Sequence, residues 1–146
     1  MGLISSRYSV SYSKAISAGS YLTMVFTTPA TASGTIVMSG VIESNLAGTA
    51  TFAKSASVSA GSTLTASDTN LNSDATSGSV IVGTPTVTTY GTVLETHVRG
   101  ANNTPIYIGG FPGAEYTLSP STSYSFKFQA LATSTYSAIN LYFYKV

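Results

Sequence analysis

Apolar and polar residues alternate along this chain with a period of two, and short polar breaks interrupt the alternation. The clearest case is TSYSFKFQALA at 122–132. Tyr124, Phe126, Phe128 and Ala130 fall on one face of an extended strand; Ser125, Lys127 and Gln129 fall on the other. That period predicts a strand with one buried face. Two other segments are apolar on both faces. In SAINLYFYKV at 137–146, Ile139, Leu141 and Phe143 share one face, and Tyr142 and Tyr144 the opposite one. In AGSYLTMVFTTP at 18–29, Leu22, Met24 and Phe26 oppose Tyr21, Thr23 and Val25. Such a strand has two things to pack against. One is the domain core. The other is either a neighbouring subunit, whose interface would favour tyrosine, or a loop of the same chain.

SGTIVMSGVIES at 33–44 predicts a further strand, after a turn containing Pro29 and Gly34. The stretch from Ser55 to Ser79 is rich in Ser, Thr, Ala, Asn and Gly, but Val58 and Leu64 punctuate it. It reads as an elaborated loop within one domain. Strand-like SVIVG, PTVTTYG and TVLETHVRG follow, and then a turn, a short strand, a tight Gly-Pro turn and another strand in GANNTPIYIGGFPGAEYTL. Helical spacing is almost missing, and β-branched and aromatic residues dominate the apolar segments. The expected class is all-β, a single-domain antiparallel sandwich or barrel. Residues 1–17 are expected to be an N-terminal arm or a first strand, and 18–146 the sandwich domain.

Composition narrows the function. The chain has 146 residues, 8% of them charged, and a formal net charge of +1. Six Lys and Arg spread from Arg7 to Lys145 do not make the basic patch that duplex nucleic acid demands, so no nucleic-acid partner is expected. No run of apolar residues is long enough for a membrane helix, and the N-terminus lacks the continuous apolar core of a secretory signal, so no membrane partner is expected. Cysteine is absent, which excludes disulfides and thiolate metal sites. A surface of Ser, Thr and Asn hydrates well but repels weakly, and it tolerates close contact with another protein.

Three clusters stand out as candidate chemistry. DTNLNSD at 68–74 spaces Asp68, Asn70, Asn72 and Asp74 like the first half of a calcium loop. Its sixth and twelfth positions are Ser73 and Ser79, where such a loop needs a Gly and a bidentate acid. The expectation is a turn-rich surface loop without a metal. In VLETHVRG, Glu95, His97 and Arg99 share one strand face, either as a polar contact across an interface or as a solvated strand face. In MGLISSRYSVSYSK, Arg7, Tyr8, Tyr12 and Lys14 are candidates for an arm that clamps a partner surface. Catalysis finds little support. His97 is the single histidine, no serine lies in G-x-S-x-G, and no pair among the five acids stands out, so neither an enzyme nor a cofactor is expected.

The order of segments resembles a group of small virion proteins of tailed bacteriophages with a tumour-necrosis-factor-like jelly roll. The matching pieces are VFTTPA at 25–30, AGSTLTASDTNLNSDATSG at 60–78, TPTVTTYGTVL at 84–94, YTLSPSTSYSFKFQALA at 116–132 and INLYFYKV at 139–146. The chain departs from that group at Leu71, where an Arg is usual, and at its FYKV ending. The resemblance implies a homotrimeric jelly roll on the capsid surface of a virion: a decoration or cement protein that binds the major capsid protein and has no catalytic site. Tyr142, Tyr144, Glu95, His97 and Arg99 are the expected subunit interface. The alternative is a carbohydrate-binding sandwich of a phage fibre, with exposed tyrosines stacking on glycan rings.

Overall fold

A computed structural model describes residues 7–30, 35–45, 47–68, 79–99, 105–109, 115–131 and 135–145. In chain order the strands are β1 (Arg7–Ile16), β2 (Tyr21–Thr27), β3 (Ile36–Ser44), β4 (Gly48–Lys54), β5 (Ser57–Ser59), β6 (Ser62–Leu64) and β7 (Ser67–Asp68). They continue as β8 (Val80–Gly83), β9 (Thr86–Thr89), β10 (Thr92–Arg99), β11 (Ile106–Ile108), β12 (Tyr116–Leu118), β13 (Ser123–Ala130) and β14 (Thr135–Lys145). No helix occurs among the described residues. The chain is all-β, as the alternation predicts.

Two six-stranded sheets and a two-stranded ribbon result, and every pairing is antiparallel. Sheet A runs β11-β3-β14-β1-β7, with β12 also on β3; sheet B runs β10-β4-β13-β2-β8-β6; β5 and β9 form the ribbon. One hydrophobic core draws on both sheets. Phe26, Phe52, Phe126 and Phe128 come from sheet B, and Ile36, Met38, Ile42, Ile139, Leu141 and Phe143 from sheet A. The rings of Phe26 and Phe143 meet edge to face, their centroids 4.7 Å apart, so the apolar sides of the two sheets confront each other. Phe52 stacks on Phe126 at 4.8 Å. Gly48 is the gap that Phe128 fills: a Cβ there would run into the Phe128 ring and the Gln129 carbonyl. At the turn before β10, Gly91 has a φ of +90° and lies against the Lys54 backbone, so the chain reverses where only glycine fits.

The two segments that are apolar on both faces resolve differently. On the outer side of sheet B, Val25, Ala53 and Ser125 are register neighbours and each is 1% exposed or less. The chain's own later segment lies there: the Ser125 hydroxyl donates to the Tyr90 carbonyl at 3.0 Å. Ser125, expected on the solvated face of its strand, is buried for this reason. The second face of β2 is therefore covered from within at Thr23 and Val25, while Tyr21 at its start stays 46% exposed. On the second face of β14, Tyr136 and Tyr142 remain 57% and 49% exposed.

Residues 7–16, expected as an arm or a first strand, are a strand. β1 pairs with β14 from Arg7↔Tyr144 to Ile16↔Thr135, and Tyr8, Val10 and Ile16 are buried in the core. The Ser55–Ser79 segment adds edge strands to both sheets: β6 pairs with β8 in sheet B, and β7 with β1 in sheet A.

Candidate interaction faces

The outer side of sheet A is assembled by register from β3, β14, β1 and β11, with Tyr107, Tyr136 and Tyr142 exposed on it. Antiparallel pairing places residues in rows across β3, β14 and β1. One row holds Val41, Asn140 and Ser11, joined by Tyr107 of β11. The next holds Ser39, Tyr142 and Ser9, and the one beyond it Val37, Tyr144 and Arg7. Glu43, Ala138 and Ser13 form the row on the other side. The middle of the face thus carries hydroxyls, an amide, small apolar groups and tyrosine rings, and its charges lie towards the ends. Ser11 donates to Asn140 Oδ1, and the hydroxyls of Ser13 and Tyr136 lie 3.4 Å apart, so side chains join β1 to β14 across this face.

At one end of this face Tyr144 is held between charges. Its hydroxyl donates to Glu115 Oε2 at 3.0 Å, and the Arg7 guanidinium lies 5.6 Å from its ring centre. The bond to Glu115 raises the Tyr144 pKa above the usual phenol value, with burial and the Glu115 charge acting in the same direction and Arg7 opposing. A depression of ≈ 380 Å³ opens here, between Arg7, Ser39, Glu115, Tyr142 and Tyr144.

The polar cluster on β10 has a different place. Glu95 and His97 pair with Phe52 and Ala50, whose side chains are core, so both point towards the gap between the sheets. Glu95 Oε1 lies 2.9 Å from His97 Nε2, and Glu95 Oε2 accepts a hydrogen bond from Tyr116 of β12. The cluster therefore ties the two sheets of one chain together at their rim. Burial, and then the Glu95 hydrogen bond and charge, push the Tyr116 pKa up to about 12.

The structure separates the residues that the sequence grouped. Arg7 and Lys14 are exposed but stand about 23 Å apart along β1 at ~3.3 Å per residue. Tyr8 is 3% exposed and stacks on Phe143 at 5.4 Å, and Tyr12 packs partly against the core and bonds Thr84 through its hydroxyl. These four do not form one clamp, because alternation along a paired strand turns Tyr8 and Tyr12 inward. Of the expected interface, Tyr142 and Tyr144 lie on the outer face of sheet A. Glu95 and His97 lie at the rim by sheet B, and Arg99 is placed by its backbone pairing with Gly48. The loop at 69–78, which carries most of DTNLNSD, lies outside the described residues; Asp68 ends β7 and pairs through its backbone with Tyr8. Among the described residues no three His, Asp or Glu side chains gather as a metal site would need, and no helix is long and apolar enough to cross a membrane.

Sequence reasoning missed Tyr107 and Tyr136. Tyr136 shares the even-numbered parity of Tyr142 and Tyr144, and Tyr107 alternates with buried Ile106 and Ile108, so period two was the available signal. It also missed a tyrosine–lysine group on sheet B. The Lys127 amine sits 4.2 Å from the Tyr90 ring centre and 5.0 Å from that of Tyr21. Beside it is a depression of ≈ 340 Å³ lined by Ser20, Tyr21, Thr23, Thr84, Pro85 and Tyr90.

Compared with known proteins, the chain matches no family model, and no curated protein is similar to it in sequence.

Proposed function

We propose that this chain is a virion structural protein: a homotrimeric jelly roll of the capsid decoration or cement type, seated on the major capsid protein and without catalytic chemistry. The observation that carries the reading is the outer face of sheet A. The chain covers the middle of the outer side of sheet B itself, at Val25, Ala53 and Ser125, whereas on sheet A Tyr107, Tyr136 and Tyr142 stay exposed in a face with few charges. Tyrosine brings large contact area at small conformational cost, and a face with few charges has little hydration to lose when a second copy covers it. The strand order supports the fold name. Its eight main strands are β1, β2, β3, β4, β10, β11, β13 and β14, and they alternate between the sheets as first-eighth-third-sixth and second-seventh-fourth-fifth. The segment resemblances to small phage virion proteins point the same way. A trimer would engage a shell through three weak contacts at once, so that avidity exceeds each one. Mass spectrometry of purified particles tests the reading: the protein is expected at stoichiometric level with the coat protein, and its absence from particles would end the proposal.

The Tyr21–Tyr90–Lys127 group favours one second reading, glycan adsorption by an appendage. Rings, an amine and threonine hydroxyls around a shallow depression are the parts a sugar site uses. Saturable binding on a glycan array that Tyr21→Ala abolishes would support it. A blank array would remove it.

A further inference from the structure

β10 is the end strand of sheet B, and among the described residues it pairs only with β4. End strands ordinarily carry lysine, proline, a bulge, inward-pointing charges or a cover against pairing with another chain. β10 has neither lysine nor proline; its bulge lies at Leu94, and its Glu95 and His97 point inward. Val93, Leu94 and Val98 are nonetheless 55%, 43% and 80% exposed, and Val98 is the most exposed large apolar side chain described.

We propose that β10 pairs antiparallel with β10 of a second copy, with Thr96 on the two-fold axis. The occupant follows from the sequence of the strand itself. Leu94-Glu95-Thr96-His97-Val98 has the same chemical order from either end: apolar, ionisable, Thr, ionisable, apolar. Antiparallel pairing about Thr96 sets Leu94 opposite the second copy's Val98, and Glu95 opposite its His97. Each apolar residue meets an apolar one and each acid meets an imidazole, which is the complementarity that stabilises cross-strand pairs. Moving the axis to Glu95 places two carboxylates face to face. Moving it to His97 sets Glu95 against Arg99, but also Val98 against Thr96 and imidazole against imidazole. The bulge between Val93 and Glu95 bends the strand at Leu94 and marks where the shared ladder ends. Glu95 already holds His97 of its own chain, so the axis brings together two Glu95–His97 pairs at the rim of the two cores.

This contact is independent of the outer face of sheet A. Where its two-fold axes meet the threefold of a sheet A trimer at right angles, two trimers close into one particle joined through their β10 edges.

The chain has no cysteine, so single-cysteine variants report the geometry without background. Directly opposed residues of an antiparallel pair have Cα atoms roughly 4.5–5.5 Å apart, inside the range a disulfide spans. Under mild oxidation in dilute solution, Thr96→Cys is expected to crosslink to a dimer at least about tenfold faster than Leu131→Cys or His97→Cys; Leu131 is exposed elsewhere on the molecule. Val98→Lys, at a site already open to water, is expected to keep the circular dichroism spectrum and halve the mass seen by light scattering. In a Tyr136→Lys/Tyr142→Lys background, which blocks the sheet A face, the unmodified edge should leave dimers and Val98→Lys monomers. Crosslinking of Thr96→Cys no faster than of the two controls, or a mass that Val98→Lys does not change, would overturn the edge pairing. A trimer that survives Val98→Lys leaves the sheet A reading standing, so the two ideas fail separately.

Discussion

The residue that this structure changes most is Tyr116. Its neutral form is favoured because burial penalises the phenolate and because the hydroxyl donates to Glu95, whose charge also opposes ionisation. The folded pKa, about 12, lies above the unfolded value of 10.0. The contribution to stability is therefore complete below pH ~10 and is lost as pH rises from ~10 through ~12. A phenolate absorbance titration is expected to include a late component near pH 12 from Tyr116. Glu95→Gln should bring it part of the way back, because burial remains when the charge is gone. An unchanged titration in Glu95→Gln would show that the Glu95 charge contributes nothing to the shift. Glu95 was legible as the member of a polar cluster. Tyr116 was not, because its partner is 21 positions away on the other sheet.

At the scale of elements, β1 decides whether the N-terminus is an appendage or part of the fold. It lies between β14 and β7, and it buries Tyr8 and Val10 at roughly 1.5–3 kcal/mol each. Deleting residues 1–14 is expected to abolish the folded state, seen as loss of the strand signal in circular dichroism and of cooperative melting. A soluble, cooperatively melting deletion would mean that β14 tolerates a bare edge, and that the N-terminal segment acts as an arm after all. The period of two made the strands readable, and β13 shows why: Tyr124, Phe126, Phe128 and Ala130 are buried, as their parity requires. Parity cannot say what covers the other face. β2 and β14 look alike in the sequence, yet Val25 is buried by its own chain and Tyr142 is open. The difference is made by the segment around Tyr90, about 65 residues beyond β2 in a chain whose local pattern does not encode that return.

For the whole molecule, assembly is the property at stake. Light scattering is expected to give three times the 15.0 kDa protomer mass, or six times where the β10 edges pair. Tyr136→Lys/Tyr142→Lys is expected to remove the threefold factor by placing ammonium groups in a face that self-contact would dry. A trimer that persists in this variant would move the interface elsewhere.

The sequence by itself determined the class of structure and the core faces of β2, β13 and β14. Alternation, β-branched and aromatic residues, and turn residues act locally, and they agree along the whole chain. It also determined the low charge, on which the proposal of a protein partner rests. The tertiary structure decided which apolar faces are spent inside the chain and which remain for others. It split Tyr142 and Tyr144 from Glu95 and His97, drew Tyr8 into the core, and brought Tyr107 of β11 onto the same sheet as Tyr136 and Tyr142 of β14. These outcomes rest on register and strand order between distant segments, and long-range pairing is what a period of two leaves unspecified.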